Sequence, residues 1–403
     1  MLQLFRKQKM WRSHELKDRY DVVIIGAGVH GLAAAYYLGK QGVTNVAVVD
    51  RGYLGGGNSG RNTAILRANY RTREAIPFYA ESLRLYEGLS QEVDFNVLFS
   101  QQGHLTLAHT DTGVDGLRVR AEANALLDVD SRLIFPEEIK SLVPAMDVST
   151  DMHAPIQAAL YHPPGGIIRH DAVVWGYARG VDCMGIEIHP HTEVQAIETE
   201  NGKVTAVQTD RGRIKTGTVV NATSGWCSTI ARMVDVDLPI VSHPLQACVT
   251  EPLKPFLDKV IVSATLHVYV NQTDRGEVVI GAEIDPYASY NMASTLPTLE
   301  MMASHALELF PMLEEARVLR QWAGICDMTP DFSPIIGTVP GVKGFIVDVG
   351  WGTYGFKAGP AAGKMVAELI VSNKTPQLIE PFAFSRFYED RLVGEKAAAA
   401  VSH

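Results

Sequence analysis

Cysteine is scarce in this chain. Four occur among 403 residues (Cys183, Cys227, Cys248 and Cys326), with no CxxC pair. This scatter excludes a disulfide framework and a structural zinc site and fits a reducing, cytoplasmic setting; no metal site is expected. Long apolar runs are missing too: none reaches the roughly 18 residues of a membrane helix. The basic opening MLQLFRKQKMWRSHELKDRY has no apolar centre of the signal-peptide kind. It reads as a surface arm, with packing on a partner subunit as the alternative. Lys and Arg number 36 against 45 Asp and Glu, with no block of either sign. A nucleic-acid surface, which needs clustered basic residues, is excluded. Internal repeats and low-complexity linkers are also absent.

What remains is a long, well-mixed chain, 46% hydrophobic, sufficient for more than one core. Its clearest signal lies near the start. DVVII reads as a buried strand, GAGVHG follows at once, LAAAYYLGKQG reads as a helix, and TNVAVVD as a second strand ending at Asp50. Strand, glycine turn, helix and strand in this order form a dinucleotide cradle. Gly26 makes the tight turn, Gly28 lets a pyrophosphate approach, and Gly31 lets the helix touch the strand. The helix N-terminus with Val29 and His30 offers amides and a positive dipole end. Asp50 can accept from ribose hydroxyls. A second glycine-rich stretch, LGGGNSGRNTAILRANY, suits a path along a flavin rather than another βαβ unit, which favours FAD over a nicotinamide.

Further on, EAIPFYAESLRLYEGLSQEV reads as a helix, FSQQGHLTLAHT as a strand pair, and LRVRAEANALL and FPEEIKSLVPAM as helices. IEIHPHTEVQAIETENGKVTAVQTDRGRIKTGTVVNATSGW reads as short strands with turns at Asn201-Gly202 and Arg211-Gly212. The stretch to about residue 320 predicts a mostly antiparallel sheet with one helix, TLEMMASHALELF. The strand GFIVDVG then breaks into glycines ahead of a last long helix. The fold class is α/β: a Rossmann-like nucleotide domain from 1–85, 150–230 and 321–403, interleaved with an antiparallel-sheet substrate domain from 86–149 and 231–320. In PPGGIIRHDA, His170 on its own reads as a helix-entry residue, with Asp171 able to cap that helix.

Four motifs in order, GAGVHG, RNTAILRANY, TPDFSPIIG and GWGTYGFKAGP, resemble the flavin amine oxidases of the D-amino-acid-oxidase type, whose fold is of the glutathione-reductase kind. SHPLQA, LHVYV and the ending AAAAVSH extend the likeness to the beta subunits of heterotetrameric sarcosine oxidases. The resemblance implies non-covalent FAD and oxidation of the C–N bond of a small secondary amino acid. Oxidative demethylation of sarcosine with hydrogen peroxide formation is the leading reading. N-methylglutamate, dimethylglycine or D-hydroxyproline as substrate, or an electron-transfer flavin subunit, are the alternatives. It also implies a second flavin, FMN, attached to His170 in GGIIRHD, with Arg169 favouring its anionic form. Oxygen would be the final acceptor, alpha, gamma and delta subunits the partners, and tetrahydrofolate a possible acceptor in the complex.

The same resemblance assigns the site. Lys357 matches a lysine placed where carboxylate and flavin meet, and Arg67 an arginine on the substrate side. Ala64 stands where monomeric relatives carry a carboxylate-binding arginine, so the carboxylate site must be built differently here. His267, Tyr269, Thr353 and Tyr354 are further substrate-side candidates. Asn58, Arg61, Asn62, Thr63 and Ile65 would border FAD, Val194 would pair with adenine through its backbone, and Gly352, Gly355 and Lys357 would approach the ring. Cys326 lies near the place where monomeric relatives attach FAD; here it is expected to be a small buried residue.

Overall fold

The computed structural model describes residues 10–396, with 282 and 283 as backbone only. The first nine residues of the arm and the AAAAVSH ending lie outside the described residues. From Met10 the arm runs along the chain's own surface. Arg12 pairs with Asp182 at 3.1 Å, Lys17 pairs with Glu187 at 2.6 Å, and Tyr20 is buried.

A six-stranded sheet carries the nucleotide side, in the order Ile335–Thr338, Phe345–Val349, Val219–Asn221, β1 (Val22–Ile25), β2 (Val46–Val49) and Glu187–His189. All neighbours are parallel except the first pair. β1 and β2, at its centre, read as unbroken apolar runs because both faces are covered. Gly31 sits where α1 (Val29–Lys40) crosses the turn: a Cβ there would fall 1.9 Å from the Gly26 carbonyl oxygen. Gly26 itself has φ +112°, which suits only glycine.

The last long helix, Gly355–Ser372, lies against α1 along glycines four apart. A Cβ on Gly359 would come within 2.5 Å of Val29, and one on Gly363 within 2.5 Å of Ala33. Pro360 inside this helix has no N–H for the Phe356 carbonyl; that carbonyl instead accepts from the Tyr86 hydroxyl at 2.5 Å. Close packing thus brings two helix N-termini to one place.

The second sheet has eight strands, in the order Val318–Met328, Val241–Pro252, Glu277–Ile284, Val268–Gln272, Val260–Ser263, His104–Ala108, Ala158–His162 and Arg132–Ile134. It is antiparallel except between Val260–Ser263 and His104–Ala108. One face, with Leu105, Leu107, Val268 and Ile280, packs on the helix Leu296–Leu309. The other face looks toward the nucleotide sheet.

Two strands cross the expected domain boundaries. Ala158–His162 comes from a stretch placed on the nucleotide side and Val318–Met328 straddles the boundary expected after residue 320, yet both pair along their length in the eight-stranded sheet. Strand pairing over long sequence separation decided this. FSQQGHLTLAHT also yields one strand, not a pair; Gly103, at φ +96°, turns the chain, and Ser100 makes only an isolated bridge to Ile167.

Candidate active site

One cavity of about 500 Å³ lies between the carboxyl ends of the nucleotide sheet and the inner face of the second sheet. At its nucleotide end the wall includes Gly26, Gly28, Val29, His30, Asp50 and Val194. Gly31 stays outside, in the helix–strand contact. Asp50 ties the turn together: its two carboxylate oxygens accept from the Ala27 and Gly52 amides, each at 2.8 Å. Arg51 lies 4.3 Å over the Trp226 ring beside it.

The second loop supplies Asn58, Arg61, Asn62, Thr63 and Ile65 to the wall. Three of these side chains are spent on shaping the loop. Asn58 donates to Ser224 Oγ at 2.7 Å and accepts from the Ile325 amide at 2.9 Å. Arg61 donates to the carbonyls of Gly56 and Gly57. Asn62 accepts from the Ala64 amide at 2.6 Å. Ala64 then takes a left-handed φ of +58°, unusual for a residue with a Cβ, and turns the chain into Ile65 and Arg67. Ser59, absent from the sequence reading, accepts from the Val29 amide at 2.9 Å and so holds the loop on the helix N-terminus.

His30 joins the two helix starts. Its Nδ1 faces the Asp348 carboxylate at 3.0 Å and its Nε2 the Gly355 carbonyl at 2.8 Å. Two acceptors require two donors, so the ring is the imidazolium. Burial opposes that charge, but Asp348 outweighs it and holds the proton affinity above the ordinary value. Trp351 Nε1 donates to the same carboxylate at 2.8 Å. Asp327 is buried nearby: Oδ2 accepts from the Gly350 amide at 2.7 Å, Oδ1 has no partner, and burial pushes the group up to about 6.

At the far end, Gly352, Thr353, Gly355, Lys357, Arg67, His267 and Tyr269 line the cavity, while Tyr354 lies behind the wall. Burial, reinforced by the Arg67 charge, pulls Lys357 down to about 7. Its place in the first turn of a helix adds dipole repulsion. Arg67 Nη1 donates to the carbonyl and side-chain oxygens of Asn69, leaving Nη2 buried and without a partner. The Tyr269 ring fills the space over Gly281, where a Cβ would fall 1.7 Å from it. His267 has φ +48° in the turn before that strand. Cys326 lies in the wall, and burial beside Asp327 raises its thiol well above the ordinary range, so it stays protonated.

His170 is elsewhere. It opens the helix His170–Cys183, whose Val174 packs against Gly55 of the second loop. Its segment is tied to the same loop by the Ile65–Ile167 pairing and by the Ile168 amide donating to the Ala64 carbonyl at 3.0 Å. His170 Nδ1 is buried and without a partner, and burial lowers its proton affinity. Arg169 is paired with Asp171 at 3.0 Å and itself takes the cap position; Asp171, expected as a possible cap, lies in the first turn of the helix and accepts from the adjacent Ala172 amide at 2.9 Å.

His104 and Thr106 carried no signal in the sequence reading. They lie two apart on one strand and so share a face, which the register places beside Val262 and Tyr269, over the cavity. The alternation HLTLA could have revealed them, since Leu105 and Leu107 take the opposite, core face.

A glycine-lined nucleotide end and a cation-bearing polar end within one cavity define a dinucleotide-dependent oxidoreductase. The chain belongs to the FAD dependent oxidoreductase family, whose model matches residues 21–369. The sarcosine oxidase subunit beta of Rhodobacter capsulatus is 44% identical over 98% of this chain and 95% of its own length. That of an Arthrobacter species is 44% identical over 98% of this chain and 97% of its own. Among solved structures, the L-proline dehydrogenase of P. horikoshii superposes with a TM-score of 0.88 at 29% identity, covering 94% of this chain and all of that one. The protein is an FAD-dependent oxidoreductase. The residues present fit that cofactor: Gly26, Gly28 and Gly57 put backbone on the wall, two helix starts face the cavity, and Arg67 and Thr353, each with a buried side-chain polar atom lacking a protein partner, line its far end.

Proposed function

We propose that the chain is the amine-oxidising subunit of a hetero-oligomer, acting on the C–N bond of a small secondary amino acid such as sarcosine. Sarcosine, oxygen and water would yield glycine, formaldehyde and hydrogen peroxide. The observation that carries this reading is the pair of cations at the closed end of the cavity, Arg67 with a spare donor and Lys357 down at about 7. Together they suit a carboxylate, and a carboxylate beside Lys357 would restore its proton. Bound FAD would supply the two-electron acceptor for the substrate C–H bond.

The chain's own residues do the rest. Gly26, Gly28, Val29, His30, Asp50, Asn58, Arg61, Asn62, Thr63, Ile65, Val194, Gly352 and Gly355 would hold FAD, the His30–Asp348 pair fixing the two helix starts that would face its negative groups. Arg67 and Lys357 would fix the carboxylate. Tyr269, His267 and Thr353 would close the site around the amine, excluding water and setting its orientation, which can contribute several kcal/mol. His170 would hold FMN covalently: an unprotonated ring nitrogen without a partner fits such a bond. Electrons would leave through that second flavin to oxygen, in an assembly with alpha, gamma and delta subunits, with tetrahydrofolate a possible acceptor for the one-carbon product.

The resemblance to sarcosine oxidase beta subunits over nearly the whole chain supports the assembly and the substrate. The test is anaerobic addition of sarcosine to the purified holoenzyme. Loss of the oxidised-flavin visible band is expected, and a silent spectrum overturns the reading. An electron-transfer subunit without its own substrate would stay silent.

A further inference from the structure

Arg67 is held in place by one neighbour. Its Nη1 donates to the Asn69 carbonyl at 3.1 Å and to the Asn69 side-chain oxygen at 3.0 Å. A second guanidinium takes the same two oxygens. Arg120, on the helix Asp111–Leu126, donates through Nε to the carbonyl at 2.6 Å and through Nη2 to the side-chain oxygen at 3.1 Å. Both arginines are buried, so two like charges share one residue away from water. Burial, reinforced by the Arg67 charge, lowers the proton affinity of Arg120 to about 9, still high enough to keep it charged at neutral pH. The Glu395 carboxylate opposes that shift.

Glu395 is 2% exposed, although it belongs to the final stretch of the chain. Its Oε2 accepts from the Arg71 amide at 3.0 Å, the Thr72 amide at 2.9 Å and the Thr72 hydroxyl at 3.2 Å. Between these two grips Asn124, one turn beyond Arg120, donates to the Tyr70 carbonyl at 2.7 Å. The stretch from Arg67 to Thr72 is thus fixed along its length, by groups that do not themselves line the cavity. The tail that brings Glu395 is anchored in turn: the Val393 amide donates to Asp331 at 3.1 Å, and Asp331 forms a buried pair with Arg386 at 2.8 Å. Burying a carboxylate is costly unless it is paired and hydrogen-bonded. Here it is set behind the two arginines, where its charge offsets their repulsion.

We propose that Arg120 and Glu395 are positioning residues for Arg67: the shared Asn69 oxygens fix the direction of its guanidinium, and the tail carboxylate balances the two charges so that Arg67 keeps its place toward the substrate carboxylate. This rests on Arg67 as the carboxylate residue of the proposed amine oxidation and says how that group is held.

The test is a double-mutant cycle read by binding rather than turnover. Calorimetry measures the affinity of the holoenzyme for methoxyacetate, an unreactive carboxylate, in Glu395→Gln and Arg120→Met, each with Arg67 present and with Arg67→Met. Glu395→Gln keeps an acceptor for the Arg71 and Thr72 amides and loses the charge. Each variant is expected to weaken binding about tenfold while Arg67 is present, and to change it by less than about twofold once Arg67 is replaced. Glu395→Asp, which retains the charge, should recover part of the loss, and with sarcosine the loss should fall mainly on KM. Flavin content checks that each variant folds; if Arg120→Met does not, the Glu395→Gln cycle decides alone. An equal loss with and without Arg67 overturns the proposal, because the two residues then act on the fold at large. So does unchanged or tighter binding in Glu395→Gln, which makes the carboxylate a bystander or a repelling charge. Equal binding by the parent and Arg67→Met would refute Arg67 as the carboxylate residue and this inference with it, while flavin reduction by sarcosine separately judges the amine oxidation.

Discussion

His30 and Asp348, 318 positions apart, form a buried ion pair at 3.0 Å that also ties the first helix to the last through the Gly355 carbonyl. Neither group alone explains the cavity's nucleotide end. Together they hold two helix starts where the negative groups of FAD would lie. Removing one partner of a buried pair strands the other, a loss of about 3 kcal/mol. Asp348→Asn is expected to lower stability by about that much and to weaken FAD retention, measured by denaturant unfolding and by flavin content. Because the folded proton affinity of His30 is raised, its stabilisation is fully present below the unfolded value of about 6.5 and fades as pH climbs through the folded one. The difference between variant and parent should therefore shrink in alkaline buffer.

Lys357 should govern carboxylate binding. Burial and the Arg67 charge hold it at about 7, and a bound carboxylate would raise that value. Affinity for methoxyacetate, an unreactive carboxylate, is expected to be greatest below pH ~7 and to fall up to about tenfold per pH unit above it. Lys357→Met should weaken binding and flatten this profile, and should reduce kcat/KM for sarcosine about a hundredfold or more. Calorimetry over a pH series with both proteins reads the outcome.

Asp327 is buried with one oxygen unpartnered and a proton affinity near 6, above the 3.8 of a free carboxyl. A raised carboxyl costs stability when ionised, so that cost appears as pH rises from about 4 and is complete above the folded value. Two pKa units correspond to about 3 kcal/mol. Asp327→Asn cannot ionise. Whatever its fixed penalty, its stability relative to the parent should improve by up to that amount between acid and neutral pH, seen in urea unfolding at each pH.

His170 gives a prediction independent of catalysis. Acid precipitation of the holoenzyme should leave yellow colour in the pellet, mapping by mass spectrometry to the peptide around residue 170. His170→Ala should give a colourless pellet while FAD remains in the supernatant. A colourless pellet from the unmodified protein would rule out the covalent flavin.

The nucleotide half was legible because its signals are local. Gly26, Gly28 and Gly31 answer to steric demands within one turn, and the run Val22–Ile25 needs only to be covered on both faces. Arg67 and Lys357 were recognisable through the motifs that carry them, and both reach the cavity. His104, Thr106, Ser59 and Asp348 were not legible. Each draws its meaning from a partner or an empty space far off in sequence, and nothing in HLTLA or FIVDV announces what lies opposite.

The sequence by itself therefore determined the glycine turn, the apolar strands, the helices that flank them and the inventory of cations, since these follow from backbone sterics and short-range patterning. Tertiary structure alone decided which strands joined the second sheet, which helix starts met, and which buried polar atoms found no partner. Those outcomes depend on strand register and packing between segments hundreds of residues apart, where charge, burial and hydrogen-bond supply are set by neighbours that no local stretch contains.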